Sequence, residues 1–554
     1  MHYQRTITIG AIVAMIAGGL CALTQPGVAD AKILLRREAS STASVLPSIV
    51  EVPPGTGING YPYDAVPPLS VIPPQLLADG QAPYINLSGL GYVEEEFIMK
   101  GGATEYAQSG SWGSNGDWNV SVSKSNVPYT TRLLVRYPTN PAKFNGTVVF
   151  EWLNDTTGGD QDPVWAQIYG PLLADGFAYV GVTAQNAGLQ DLVAWDSARY
   201  GSLGDSSDLQ SYDIFTQAAK AVVADSATIL GGLTPKRLIG TGDSQSAFRI
   251  DTYVNAIQPV THEFNGFMAV GRAVTAAPIG SGLISISPFP ALIRTNNTAP
   301  FLQINTQGDI EELDAGAARQ SDNNDLRTWE LAGAAHIDTH EAAYEIEALS
   351  REEPTLPIPA CALGTPIEGT GTPLDGINQA DSMPLFEVED AGITALQTWL
   401  TTGAAPVHSP QISTTSVFFG IYYLVNTDSN GNALGGIRLP ELEAPADLYS
   451  PLNYYNIPES ATNPSALISE LESALSFLTT GGISNTTLRS EGLCLLSGYF
   501  TPFSTSKLVG LYGTNATYNA DYVKGVSTTE AAGFLTPADG SAAIAKIESL
   551  TTVP

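Results

Sequence analysis

Histidine, cysteine and positive charge are all scarce in this chain. Its 554 residues include 5 His and 3 Cys, and neither a C-x-x-C nor an H-E-x-x-H spacing occurs. A structural or catalytic zinc site therefore has no sequence support, and neither a metal nor a cofactor is expected. Lys and Arg number 24 against 55 Asp and Glu, a formal charge of −31. A field of that sign repels phosphate backbones and anionic lipid, which argues against nucleic acid as a partner; its plain reading is solubility. Charged residues make up only 14% of the chain against 43% hydrophobic, so the protein is globular with ample core. The length allows roughly two to four domains.

The N-terminus carries an apolar run, Ile7 to Leu23, marginal for a membrane span and followed by Pro26 and Gly27. Arg5 precedes it, and Ala29-Asp30-Ala31 offers an A-x-A cleavage site before Lys32. Residues 1–31 thus read as a signal peptide cut after Ala31, and the mature protein is expected to be secreted or periplasmic without stable membrane insertion. A lipid anchor on Cys21 is disfavoured because Leu20, not a small residue, precedes it. Cleavage leaves Cys361 and Cys494, an even pair that suggests one disulfide in an oxidising compartment; two separate buried thiols are the other reading.

Residues 32–78 are rich in Pro, Ser and Gly and read as an extended arm. Beyond them, strand-like and helix-like segments mostly alternate. Tyr92 to Met99 and Thr130 to Tyr137 look like an antiparallel opening pair, and Thr147 to Trp152 like a buried strand. A helix from Trp165 to Gly176, a strand from Phe177 to Thr183 and a long helix from Ser211 to Leu230 follow. Arg237 to Gly240, Phe264 to Val270, Pro300 to Thr306 and Thr328 to Ala332 complete the series. Such alternation implies a mostly parallel sheet with helices on both faces, an α/β fold whose ligand sites lie at the carboxyl ends of the strands. The expected core spans residues 79–345. Residues 346–554 change in character and read as a large C-terminal second lobe or cap, with a helix from Glu389 to Thr402.

Ser244 stands where the strand Arg237 to Gly240 turns into a helix, in Gly242-Asp243-Ser244-Gln245-Ser246. A tight strand-to-helix turn lifts a serine hydroxyl clear of its neighbours and aims the N–H groups of the helix start at a developing oxyanion. As a bare G-x-S-x-[GS] pattern it would arise by chance in roughly one chain of this length in three, so its context must carry it. A nucleophilic serine needs a base and an acid that orients it. Beyond residue 31 the histidines are His262, His336, His340 and His408. His336 ends a loop of small residues just after the last strand-like run, which makes it the candidate base. Asp309 follows the preceding strand and is the candidate acid, with Glu311 next and Glu312 and Asp314 crowding the same loop. The order Ser244, Asp309, His336 suits this strand sequence. The N–H of Gln245 and a donor from the loop after Trp152, Leu153 or Asn154, are the candidate oxyanion hole.

With these residues in view the chain resembles exported α/β-hydrolase-domain proteins whose elbow reads Gly-Asp/Glu-Ser-Gln-Ser. The likeness runs from about residue 85 to about 550. It includes Glu151-Trp152-Leu153-Asn154, Trp195 to Gly201, the elbow with Tyr253 to Ala256, Trp329 to His336 and Gly431 to Pro440. It implies an α/β-hydrolase fold, makes Ser246 usual at its position and favours Asp309 as the acid. It also implies ester hydrolysis through an acyl-enzyme on Ser244, on a small-molecule or polymeric ester. An amidase or peptidase with the same triad, or a non-catalytic binding protein on the same scaffold, is the alternative.

Overall fold

The computed structural model describes residues 46–53, 63, 65, 85–156, 159–205, 207–279, 287–297, 299–352, 381–417, 422–451 and 496–553. The signal segment 1–31 and both Cys361 and Cys494 lie outside these residues.

A nine-stranded sheet organises the chain: β1 Ser48–Glu51, β2 Tyr92–Ser109, β3 Asn119–Pro138, β4 Thr147–Trp152, β5 Ala178–Val182, β6 Arg237–Asp243, β7 Gly266–Val270, β8 Phe301–Thr306 and β9 Leu326–Leu331, in the order 1-2-3-5-4-6-7-8-9. From β5 to β9 every pairing is parallel, while β1, β2 and β3 join antiparallel at one side. The parallel strands are short, near-continuous buried runs, as a sheet covered on both faces requires. Side chains alternate between those faces. Val148, Phe150 and Trp152 of β4 pack with Ile214, Phe215, Ala218 and Val222 of helix Ser211–Ala224. Val149 points to the other face, with Val164, Trp165 and Ile168 of helix Pro163–Ala174.

Several expected boundaries move. β2 and β3 are 18 and 20 residues long; the outer half of β3 is largely exposed, where little apolar burial marks a strand, while that of β2 still buries Ala103 and Tyr106 in the core. Ser48–Glu51 of the expected arm pairs with β2 as an edge strand. The helix expected to reach Leu230 ends at Ala224, because Asp225 leaves helical geometry, and a short turn Ser226–Ile229 follows.

The largest change concerns the C-terminal lobe. Helix Leu385–Thr402 lays Val388, Ile393, Leu396 and Trp399 on the same face as Pro163–Ala174, over Leu302 and Ile304 of β8. A boundary at 346 therefore runs through the sandwich. Farther along, Asn515–Ala532 and Pro537–Glu548 build a small cluster of their own around Tyr518, Tyr522, Val526 and Ile547. It meets the sheet where the Phe534 ring stands edge-on to Trp329, 5.0 Å between centroids.

Candidate active site

β6 carries the chain to the carboxyl edge of the sheet, where Ser244 takes φ 52° and ψ −119° and helix Gln245–Thr252 begins at once. A positive φ at a non-glycine residue costs on the order of 1–3 kcal/mol and persists only where the surroundings hold it. Here they do. Ser244 N–H donates to the Val270 carbonyl at 3.0 Å, and its own carbonyl accepts from Phe248 N–H at 3.2 Å. Gly242 is required for the turn, since a Cβ there would stand 2.9 Å from the Ser246 backbone carbon and oxygen. Ser246, in the place of the usual second glycine, donates its hydroxyl to the Asp243 carbonyl at 2.8 Å and accepts from Asp243 N–H at 3.1 Å. The departure from G-x-S-x-G thus closes the turn with a side chain.

Asp309 sits in the first turn of helix Gln307–Glu312, not in a loop. Thr306 caps that helix: Asp309 N–H donates to the threonine Oγ1 at 3.1 Å, and Asp309 Oδ2 accepts from Thr306 N–H at 2.6 Å. This reciprocal box leaves Oδ1 free to meet His336 Nδ1, 2.5 Å away with both side chains buried. Burial alone would lower the His336 pKa. The Asp309 charge, its hydrogen bond and the Asp243 charge outweigh that, and the imidazole is held above its ordinary value. Glu311 turns away and accepts from Val425 N–H at 3.1 Å.

Small residues shape the loop to His336. Gly308 approaches so closely that a Cβ would lie 2.9 Å from the His336 nitrogen. Gly333 N–H donates to Gln307 Oε1 at 3.0 Å, and Ala335 N–H to Asp381 Oδ2 at 2.7 Å. The other histidines stand elsewhere. His340 is stacked between Phe386 and Tyr169, His408 is exposed beside Asp322, and His262 caps a helix at the surface.

The expected oxyanion hole needs correction. Gln245 opens its helix, so its N–H has no intrahelical acceptor. Leu153 N–H, however, donates to the Val182 carbonyl at 3.2 Å, and Asn154 N–H to the Gln161 carbonyl at 2.8 Å. The end of β4 is still paired there, which consumes both donors. Asn154 instead reaches from Nδ2 to the Asp243 carbonyl at 3.0 Å, tying its loop to the elbow. Gln185 ties the same region together, accepting from Trp152 Nε1 at 2.8 Å and from Gln245 Nε2 at 3.1 Å.

Asp243, Asp381 and Gln185 were not singled out from the sequence. The acid directly before the serine was the one local signal available. The Asp243 carboxyl is pushed up to about 7 by burial, with His336 lowering it and Asp309 raising it. Among the described residues no group of three or more His, Cys, Asp or Glu is arranged to hold a metal ion, and no helix is long and apolar enough to cross a membrane.

No curated protein matches this sequence at a significant level. Solved structures that match include a serine hydrolase homologue from Coxiella burnetii, 12% identical over 41% of this chain and 92% of that one, TM-score 0.26. A putative dienelactone hydrolase from Klebsiella pneumoniae is 13% identical over 47% and 97%, TM-score 0.25. Oligopeptidase B from Trypanosoma brucei is 12% identical over 47% and 43%, TM-score 0.26. Likeness at that level carries no argument about chemistry. The family model described as alpha/beta hydrolase domain is different, because it matches residues 50–545, nearly the whole chain including every strand from β2 to β9. The chain belongs to the alpha/beta hydrolase domain family.

Proposed function

We propose that this protein is a serine hydrolase acting on carboxylic esters, small-molecule or polymeric, and that it works outside the cytoplasm after loss of residues 1–31. The observation that carries the catalytic reading is Ser244 at positive φ on a strand-to-helix turn, with His336 and Asp309 hydrogen-bonded at the neighbouring strand ends. Asp309 Oδ1 would hold the Nδ1–H tautomer, so that Nε2 takes the Ser244 proton as Oγ attacks the ester carbonyl. Gln245 N–H would donate to the oxyanion. Collapse expels the alcohol, which takes the proton back from His336, and water then releases the acid from the acyl-enzyme by the same relay. Esters are the favoured class because their leaving alcohol departs more readily than an amine.

The test is Ser244→Ala assayed on short p-nitrophenyl esters, with the fold checked by circular dichroism. A loss of at least about 10⁴-fold in turnover is expected, and full residual activity would sink the assignment. Faster cleavage of a matched anilide would mean an amidase or peptidase. Failure of a fluorophosphonate probe to label wild-type Ser244 would mean a non-catalytic protein on this scaffold.

A further inference from the structure

We propose that Asp243, the residue immediately before Ser244, is a positioning residue of the same machinery: a second carboxyl group that faces the His336 imidazole and favours its protonated form. The inference rests on the serine-hydrolase reading and adds a fourth side chain to it.

The geometry comes from Gly271, which follows β7 at φ +64°. A Cβ there would stand 2.6 Å from His336 Cε1, 3.1 Å from His336 Nδ1 and 3.2 Å from Asp243 Oδ1. The ring edge and the carboxyl group therefore border one small space that a glycine leaves open. Asp243 is also aimed with unusual firmness. Its N–H and carbonyl are both bonded to the Ser246 hydroxyl, the carbonyl takes a second bond from Asn154 Nδ2, and its backbone pairs in register with Val270, next to Gly271. The Asp243 backbone, from which the carboxyl group projects, is in this way fixed from three directions before any substrate arrives.

Among the described titratable groups coupled to Asp243, His336 is the one base. The groups whose charge couples to Asp243 are His336 and Asp309 on the adjoining strand ends, Glu341 and Glu345 on helix Thr339–Glu352, and Glu389 on helix Leu385–Thr402. All but His336 are acids. Asp309 already occupies Nδ1, so Asp243 acts on the ring through its field and not as the orienting hydrogen-bond acceptor. Its negative charge is worth most at the instant His336 holds the Ser244 proton. Two carboxyl groups facing one imidazole titrate as a coupled set, so the ring should gain its proton in more than one step.

The test uses the full-length protein labelled with ¹⁵N-histidine. In the wild type the His336 resonances should titrate in two resolved steps. In Asp243→Asn they should titrate once, at a pH lower by about one unit, and Asp243→Glu should restore the two-step curve. The rate of fluorophosphonate labelling at pH 8 should fall about tenfold in Asp243→Asn, with its acid limb moved to lower pH. Identical His336 titration in wild type and Asp243→Asn would overturn the proposal. Should that variant not fold, a single-step titration of the wild type would overturn it alone. Absence of labelling in the wild type would instead strike the hydrolase reading, and leaves the titration still able to decide the role of Asp243.

Discussion

Two groups of buried carboxylates flank the candidate site, and they are neutralised in opposite ways. On the side of β2 and β3, arginines do the work. Arg132 spans Glu96 at 2.7 Å and Asp160 at 3.1 Å, Arg136 spans Glu94 at 2.7 Å and Asp162 at 2.5 Å, and Arg199 adds a second cation to Glu96 at 2.5 Å. Arg136 also lies over the Trp165 ring, 4.2 Å from its centroid. On the other side, Asp338, Glu341, Glu345 and Glu389 meet between helices Pro163–Ala174, Thr339–Glu352 and Leu385–Thr402. Among the described residues no Lys or Arg pairs with them. Gln167 Nε2 serves Asp338 at 3.1 Å and Glu341 at 3.2 Å, while both carboxyl oxygens of Glu345 and of Glu389 are buried without a hydrogen-bond partner.

The difference teaches how each region answers to pH. Burial raises even Asp160 and Asp162, the latter to about 6, but Arg132 and Arg136 oppose the shift, and these ion pairs hold the loop after β4 against the sheet. The unpaired ones are driven well upward by burial first, then by Asp243 at Glu341 and Glu389 and by Asp162 and Glu151 at Glu345, which favours their protonated forms. Sign follows from linkage. A carboxyl group whose folded pKa is raised binds a proton the unfolded chain has already released, so its contribution is whole below the unfolded pKa and is lost as pH rises through the folded one. Glu387, raised to about 9 by burial and then by Glu441, places part of that loss on the alkaline side. Asp155 and Glu311, each raised to about 7 chiefly by burial, place another part near neutrality.

Three experiments would break or sharpen this contrast. Arg132→Met should have the largest effect of the substitutions, because it leaves Glu96 and Asp160 buried with the cation between them gone. A loss of about 3–5 kcal/mol is expected in urea unfolding at pH 7. A loss below about 1 kcal/mol would erase the distinction between the two regions. The second experiment is the pH dependence of the unmodified protein. Unfolding free energy should fall from pH 5 to pH 9, by about 1.4 kcal/mol per pH unit for each proton the native state retains. A flat profile would show that the unpaired acids are not held protonated. The smallest effect is expected from Glu389→Gln, which keeps the shape and removes the charge. Its stabilising effect should grow between pH 5 and pH 8 by up to about 1.4 kcal/mol per pH unit, the share of one proton in that profile, read from melting curves at both pH values; destabilisation at pH 8 would mean that an ionised Glu389 is needed.

Much of the core was legible in the sequence for simple reasons. β4 and β7 are mostly apolar, β6, β8 and β9 carry apolar residues among polar ones, and the distances along the chain between them admit helical crossovers. The outer half of β3 was not legible, since a strand that buries little carries little apolar signal. Helix Leu385–Thr402 was readable as a helix, yet its place on the sheet was not, because periodicity reports that a face is buried and not what buries it. The Leu153 and Asn154 donors were misjudged for a related reason: whether an N–H is free depends on pairing with Val182 and Gln161.

The elbow itself was determined locally. Gly242, Ser244 and Ser246 lie within five residues, the bonds that close the turn span three, and steric exclusion around Gly242 acts between neighbours in the chain. Contacts between distant residues decided the rest. Asp309 and His336 are 27 residues apart, Asn154 and Asp243 are 89 apart, and Gln167 and Asp338 are 171 apart. No composition or spacing encodes such meetings. They exist because the sheet brings the strand ends together, and burial there sets which donors stay free and which acids keep their protons.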